Sequence, residues 1–381
     1  MPVNEYETRD LPAQESTAEI KPFTLWRPSQ FLEYEPPADS FMLGDGFVEA
    51  GNWTSFIGIG GLGKSRLLMW LFISIITGRE WCGISTFATP RKCVIFCTEN
   101  GLRRWKTDLR NVRETLTPRE WQLVDENLEI LALTTDETGN LNLDCLESRD
   151  RIRVSLDRNE NALIGFDPLA DLSIGDESKT ADMAETIRTL RKVIKDSASR
   201  SAAVVIVHHA RTGASNVAQA GDNYSAGNFG RGSKALYSAV RCEIQLAPGD
   251  KEDPNKIVLA CGKANDTPKF AARGIIFNGK TYVVDPEFDV DAWRADVNGQ
   301  RSNSTGPSVL DVARAVKKLC PYATSLPPKK GDIDDAMGVG NGETTRKTIG
   351  NKLKKAIDLG YLEKGAKQGE YRLGSKSIPD A

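Results

Sequence analysis

The stretch TSFIGIGGLGKSRLLMWLFISII, residues 54–76, joins an apolar run to a glycine-rich loop and a second apolar run. Its centre, GIGGLGKS at residues 58–65, fits the pattern GxxxxGK[ST]. In this pattern the backbone N–H groups of the loop and the positive end of the following helix surround the phosphates of a nucleotide. Because the strand, loop and helix that the motif requires are all present, residues 54–76 predict a nucleotide-binding α/β domain.

The residues of this loop have separate predicted roles. Lys64 neutralises the β- and γ-phosphates, and the Ser65 hydroxyl is a ligand of Mg²⁺. Glycines let the backbone N–H groups close around the phosphates. The glycines expected to do so are Gly58, Gly60, Gly61 and Gly63.

Short apolar runs alternate with helical patterns from about residue 40 to residue 285. Runs such as ALIGF (162–166) and AVVIV (203–207) are almost continuously apolar. This is typical of strands covered on both faces, so we expect a mainly parallel sheet flanked by helices. The expected strands are residues 54–59, 92–98, 128–133, 162–167, 203–208, 242–247, 256–262 and 273–277. The expected helices are residues 64–77, 102–115, 180–197 and 232–240.

Two acidic residues directly follow predicted strands. Glu99 ends the run KCVIFCT, and a carboxylate at that position can polarise water for attack on the γ-phosphate. Asp167 ends ALIGF and matches the acid that orders the hydrated Mg²⁺. Asp171 is an alternative acid, although it lies beyond Pro168 and off the strand.

The chain has two histidines, and they are adjacent. His208 and His209 follow AVVIV, at the carboxyl edge where open parallel sheets bind ligands. A polar side chain there can contact the γ-phosphate and report its hydrolysis to the adjoining loop.

The order of these motifs resembles that of RecA-like P-loop ATPases, and most closely the RepA-type hexameric plasmid helicases. The resemblance covers residues 36–285 and rests on GIGGLGKS, CVIFCTENG, ALIGFDPLADL, IVHHAR, RGSKALYSAVRCEIQL and KIVLACGKAND. It implies that ATP is the nucleotide, that Glu99 is the catalytic base and that Asp167 serves Mg²⁺. It also implies that one histidine senses the γ-phosphate, and we favour His209 because it adjoins Ala210 and Arg211.

The resemblance further implies a ring, with hexamers favoured, in which a neighbouring subunit supplies an arginine to the ATP site. Arg241 occupies the matching place, and Lys263 is a second candidate. Single-stranded DNA is then expected to pass through the ring. A long polar segment, residues 212–232, is expected to contact DNA at the central channel, although it also fits a plain surface loop. Its candidate phosphate contacts are Arg211, Arg231 and Lys234, and its candidate stacking aromatics are Tyr224 and Phe229.

Charge divides the chain more clearly than overall composition does. The whole chain has a net charge of −2, whereas residues 307–376 carry fourteen Lys/Arg and eight Asp/Glu. We therefore expect an acidic extension (1–35), a RecA-like ATPase domain (36–298), a polar linker (299–306) and a basic domain (307–376).

The basic domain reads as three helices and a hairpin, which resembles a winged helix. In that fold the third helix, here residues 343–359, enters the major groove of DNA. Its outward cations, predicted to contact duplex DNA, are Arg346, Lys347, Lys354 and Lys355. Some winged helices bind proteins instead.

Two functions follow from these patterns. The first is an ATP-hydrolysing DNA motor, such as a ring-forming helicase of a plasmid, phage or mobile element. The alternative is an ATP-switched DNA-binding regulator, loader or recombination factor. The start MPVNEYETRD lacks a basic and apolar signal sequence, and the apolar run 67–76 is too short to span a bilayer. We therefore expect a cytoplasmic protein without a membrane partner.

Overall fold

A computed structural model describes residues 24–37, 39–87, 91–132, 141–210, 220, 229–230, 234–297, 308–322, 325–338 and 346–378. The chain divides into two compact units, residues 1–40 and 41–381. In the first unit, the short helix α1 (Pro28–Leu32) is exposed, and the rings of Trp26 and Phe31 lie 5.5 Å apart.

A nine-stranded sheet organises the second unit. Its six strands from β8 to β5 run parallel, and the three at the other edge run antiparallel, which confirms the predicted mainly parallel sheet. In spatial order the strands are β11 (Tyr282–Asp285), β10 (Arg273–Phe277), β9 (Lys256–Ala264), β8 (Cys242–Pro248), β3 (Trp53–Gly58), β7 (Ala203–His209), β6 (Leu163–Asp167), β4 (Cys93–Cys97) and β5 (Leu128–Ala132). Strands β1 (Phe41–Leu43) and β2 (Val48–Glu49) form a separate antiparallel pair.

Helices cover the sheet, and the most deeply buried of them follows the phosphate loop. Helix α2 (Lys64–Thr77) buries every residue from Leu67 to Ile76. No helix in the described part of the chain is both long and apolar enough to cross a membrane. The other helices of this domain are α3 (Leu102–Arg113), α4 (Pro118–Asn127), α5 (Leu146–Asp157), α6 (Thr180–Lys195), α7 (Lys234–Ala239) and α8 (Val290–Val297).

The basic C-terminal segment forms its own small core. Its elements are α9 (Val309–Leu319), α10 (Lys330–Ala336), α11 (Arg346–Asp358) and the hairpin of β12 (Leu362–Lys364) and β13 (Tyr371–Leu373). Ser308 caps α9 by accepting a hydrogen bond from the Asp311 backbone N–H at 3.0 Å, as the sequence predicts. Buried side chains from the three helices, including Val316, Ile333 and Leu353, pack together.

Two lysines of α11 contact a carboxylate just before α8. Lys352 Nζ lies 2.5 Å from Asp289 Oδ2, and Lys355 Nζ lies 3.6 Å from Asp289 Oδ1. Burial opposes ionisation of Asp289, but the hydrogen bond from Lys352, the Ala292 backbone N–H and both lysine charges outweigh it and lower its pKa to about 2. Lys355 therefore lies beside the ATPase domain in this structure.

Candidate active site

The phosphate loop turns between β3 and α2, and glycine is required at two of its positions. Gly61 and Gly63 have φ angles of +80° and +71°, which side chains other than glycine rarely adopt. At Gly63 space is also limiting, because a Cβ atom would lie 2.3 Å from the Tyr282 hydroxyl oxygen. This geometry fits a loop whose backbone wraps closely around a ligand.

A cleft of about 600 Å³ opens above the loop at the carboxyl edge of the parallel strands. The cleft brings together the loop and two of the predicted site residues that follow other strands, Glu99 and His209. A cleft of this size is typical of small-molecule sites. Its other polar lining residues include Arg66, Asn100, Arg104, Asp108 and Tyr282.

Lys64 is buried at the base of this cleft. Its ammonium group donates a hydrogen bond to the Ile59 carbonyl oxygen at 2.9 Å. Burial lowers the pKa of Lys64, while the nearby charges of Asp167 and Glu99 act in the opposite direction. A buried cation of this kind gains a strong partner when phosphates enter the loop.

Ser65 and Asp167 form the candidate Mg²⁺ site. Asp167, at the end of β6, is only 2 % exposed and accepts a hydrogen bond from the Ser65 hydroxyl. Burial raises the pKa of Asp167, the Ser65 hydrogen bond opposes this, and the charge of Glu99 raises it further. A bound cation would relieve that burial cost.

The donor set fits Mg²⁺ rather than an ion held by protein alone. The described residues contain no group of three or more His, Cys, Asp or Glu side chains placed to hold a metal. Mg²⁺ commonly takes one or two protein oxygens and completes its shell with phosphate oxygens and water. At this site it would neutralise phosphate charge.

Glu99 and His209 face each other across the cleft. His209 Nε2 lies 3.5 Å from Glu99 Oε1, and the Glu99 side chain is 47 % exposed. The alternatives lie elsewhere: His208 is buried, and Asp171 accepts a hydrogen bond from the Thr98 hydroxyl and does not line the cleft. The arrangement places a solvent-accessible carboxylate and an imidazole beside the phosphate loop.

Arg66 belongs to a charge network of the cleft that the sequence did not indicate. Asp108 on α3 accepts hydrogen bonds from Arg66 Nε at 3.2 Å and from Arg104 Nε at 2.7 Å. Burial raises the pKa of Asp108, although Arg66 opposes this. The Arg66 guanidinium also lies 4.0 Å from the centroid of the Phe277 ring. The network joins the start of α2 to α3 and to the antiparallel edge of the sheet.

Tyr282 is the second residue of the cleft that sequence reasoning missed. Its hydroxyl donates a hydrogen bond to the Gly63 carbonyl oxygen at 3.2 Å, and burial raises its pKa to about 12. Tyr282 therefore stays protonated and remains a donor to the loop. Because 219 residues separate it from Gly63, no local pattern could have indicated this contact.

Arg241 lies at the opposite edge of the sheet from the phosphate loop. Its backbone N–H donates to the Trp53 carbonyl oxygen at the start of β3, whereas the loop follows the end of β3. Six residues of strand separate these ends by about 17 Å. Lys263, the second candidate, is at the same edge and donates to the Tyr237 carbonyl oxygen at 2.7 Å.

The predicted DNA-contacting residues are placed unequally. Lys234 begins α7 and is exposed, whereas Arg211, Tyr224 and Arg231 lie outside the described residues. Phe229 was a wrong candidate for base stacking, because it is 2 % exposed and packs into the hydrophobic core.

On the C-terminal helix α11, the predicted cations do not share one environment. Arg346 and Lys354 are exposed. Lys355 lies beside Asp289, and the Lys347 side chain is outside the described residues.

Comparison with known proteins agrees with this geometry. Two solved structures resemble the fold at a distance: the RadB recombinase (TM-score 0.41, 12% identity, 64% of this chain and 91% of that chain) and the ATPase domain of a second protein (TM-score 0.43, 13% identity, 61% and 84%). No curated protein matches the chain. A family described as AAA domain matches residues 14–215, more than half of the chain. With its phosphate loop and mainly parallel sheet, the chain is a RecA-like P-loop ATPase and belongs to the AAA domain family.

Proposed function

We propose that this protein is an ATP-hydrolysing DNA motor, a ring-forming and most simply hexameric helicase of a plasmid, phage or mobile element, similar to the RepA-type helicases. The observation that carries the proposal is the pairing of Glu99 with His209 beside the phosphate loop. These residues follow β4 and end β7, so a single cleft joins a candidate base, a candidate sensor and the phosphate-binding backbone.

Each side chain then has a chemical role. Lys64 binds the β- and γ-phosphates, and Ser65 and Asp167 hold Mg²⁺. Glu99 accepts a proton from the attacking water, which its exposure permits. His209 contacts the γ-phosphate, so that loss of this group changes its interaction with Glu99 and the loop that follows β7.

The basic C-terminal segment supports DNA as the partner. Its net charge of +6 over residues 307–376 contrasts with the slightly acidic whole chain. Arg346 and Lys354 are exposed on α11, the third helix before a hairpin, which is the arrangement that a winged helix presents to duplex DNA. We propose that single-stranded DNA occupies the ring while the C-terminal domain contacts duplex.

The second candidate function is an ATP-switched DNA-binding regulator, loader or recombination factor. It is favoured by the Asp289 contact, because a basic domain held against the ATPase domain suits nucleotide-controlled release. The two functions differ in translocation. A motor unwinds a tailed duplex with ATP turnover, whereas a switch binds DNA in an ATP-dependent way without unwinding.

The deciding experiment measures the ATPase rate with and without single-stranded DNA, together with the mass of the particle. A motor gives a DNA-stimulated rate and a particle of several 41.8 kDa chains, six for a hexamer. An unstimulated rate from a monomer contradicts the motor. Unwinding of a tailed duplex in the same buffer then separates the two candidates.

DNA binding by the C-terminal domain has its own test. Substituting Arg346 and Lys354 by Ala should weaken duplex binding and make its salt dependence shallower by about 0.9 per lost phosphate contact. Basal ATPase activity should not change. The matched control replaces Lys317 and Lys318 of α9, which removes the same charge from another helix. Equal effects of both pairs would indicate a general field rather than a DNA-facing α11.

A further inference from the structure

A cationic cavity lies at the amino edge of the parallel strands, on the far side of the sheet from the phosphate loop. It has a volume of about 590 Å³ and includes Trp53, at the start of β3. We call it the amino-edge cavity. Its four cations are Arg191, Lys195, Arg200 and Arg241.

These four cations lack the acidic partners that their neighbours have. Arg188 and Lys192, on the same helix α6, pair with Glu185 and Asp196. In the part of the chain that the structure describes, no carboxylate forms an ion pair with any of the four. A cluster of like charges without a counter-charge binds an anion readily.

One of the cations is held in place by uncharged groups. The Arg191 guanidinium lies 5.0 Å from the centroid of the Trp53 ring and donates to the Ala239 carbonyl oxygen at 2.6 Å. Burial lowers the pKa of Arg191, and the charge of Arg241 lowers it further. The two arginines are therefore close enough to repel each other until an anion enters.

We propose that the amino-edge cavity binds the phosphates of a nucleotide held by a second copy of this chain, with Lys195 and Arg200 contacting those phosphates beside Arg241 and with Arg191 positioning Arg241. This inference rests on the proposed ATPase motor and deepens it.

Distance and charge favour the second copy as the source of the phosphates. The cavity and the chain's own phosphate loop lie at opposite ends of β3, about 17 Å apart, so one chain cannot close the site on itself. The cleft presents Glu99 and the bound phosphates, which complement the four cations of the cavity. Contact between two different faces of identical chains is a head-to-tail interface, the kind that builds rings and filaments.

The first experiment tests the site without relying on hydrolysis. Inorganic tripolyphosphate is titrated by calorimetry, at low salt and without Mg²⁺, into the Lys64→Ala chain, whose own loop has lost its cation. We expect residual binding that weakens at least tenfold when Lys195→Gln and Arg200→Gln are added. Absence of binding, or binding that this pair leaves unchanged, overturns the proposal.

The matched control removes two charges from the same helix, with Arg188→Gln and Lys192→Gln. It should change tripolyphosphate affinity less than twofold, and an equal loss in the control also overturns the proposal. All four substituted side chains are exposed, so folding should survive. If the melting curve of the double variant shifts, the Lys195→Gln single variant replaces it.

The second experiment identifies where the phosphates come from. Arg241→Ala chains are mixed with Lys64→Ala chains, so that each supplies what the other lacks. Adding Lys195→Gln and Arg200→Gln to the Lys64→Ala chain should lower the recovered hydrolysis at least tenfold. Adding them to the Arg241→Ala chain should change it less than twofold.

Other outcomes of the mixing experiment contradict the assignment. An equal loss on either chain excludes the neighbour's nucleotide as the occupant. If hydrolysis is unaffected but the salt dependence of DNA binding falls, the cavity binds DNA phosphates and the proposal is wrong. If the parental chain hydrolyses no ATP, the proposed function fails, while the tripolyphosphate titration still reports on the cavity.

Discussion

Replacing Asp289 by Asn should detach part of the contact between α11 and the ATPase domain. The substitution keeps the N-cap of α8, because the side-chain oxygen can still accept from the backbone N–H groups of Asp291 and Ala292, both at 3.1 Å. What it removes is the negative charge that faces Lys352 and Lys355.

The magnitude follows from the pKa of Asp289. A reduction from 3.8 to about 2 corresponds to about 2 kcal/mol of stability at neutral pH, at about 1.4 kcal/mol per pKa unit. The Ala292 N–H accounts for part of this reduction, and water around the half-buried pair screens the rest. We therefore expect Asp289→Asn to cost about 1 kcal/mol, and a double-mutant cycle with Lys352→Met to give a coupling free energy of about 0.5–1 kcal/mol.

Urea unfolding at pH 7, followed by circular dichroism, measures these free energies. Asp291→Asn is the matched control, since it removes the same charge two residues away and should cost less than about 0.5 kcal/mol. Because the folded-state pKa of Asp289 is lowered, its contribution is fully present above about pH 4 and is lost as the pH falls towards 2. A coupling free energy near zero at pH 7 would refute this account of the contact.

Three substitutions test the cleft itself. Lys64→Ala should weaken binding of a fluorescent Mg²⁺-nucleotide by about 100-fold, because charge-assisted bonds to phosphate are worth about 1.5–3 kcal/mol each; unchanged affinity would contradict the phosphate site. Glu99→Gln should bind the nucleotide normally but hydrolyse it about 10²–10⁴-fold more slowly; a parental rate in a phosphate-release assay would move the base elsewhere, with Asp171 next. Gly63→Ala should lower the free energy of unfolding by about 2 to 3 kcal/mol through a left-handed backbone and a lost Tyr282 hydrogen bond. Tyr282→Phe, its control in the same thermal melt, should cost only about 1 kcal/mol, and equal losses would assign the whole effect to the hydroxyl.

The central sheet could be predicted from the sequence because its strands are buried on both faces. Such strands produce unbroken apolar runs, and a polar residue directly after a run lies at the edge where a ligand binds. This is why Glu99 and His209 could be named before their 3.5 Å separation was known. The position of a residue at the end of a strand carries the information.

Other features depend on packing that no local pattern records. Helix α4 buries a single side chain, Val124, so it lacks an apolar periodicity, although Thr117 and Glu120 form a capping box that could have indicated its start. Phe229 was placed in a DNA-contacting loop because its neighbours are polar, yet it packs into the core. The arginine pair of the amino-edge cavity joins α6 to the start of β8, and only the tertiary fold brings these elements together.

The order of the strands has a practical consequence for anyone who wishes to express a fragment of this protein. The family match ends at residue 215, yet β3 lies between β7 and β8, and β8 to β11 all come later in the chain. A fragment that stops at the family boundary would turn β3 into an edge strand with a free row of backbone donors and acceptors, which invites aggregation. It would also lack Tyr282, which holds the phosphate loop from the last strand of the sheet. The smallest fragment able to fold with an intact cleft therefore extends through β11, about 70 residues beyond the boundary that sequence similarity marks.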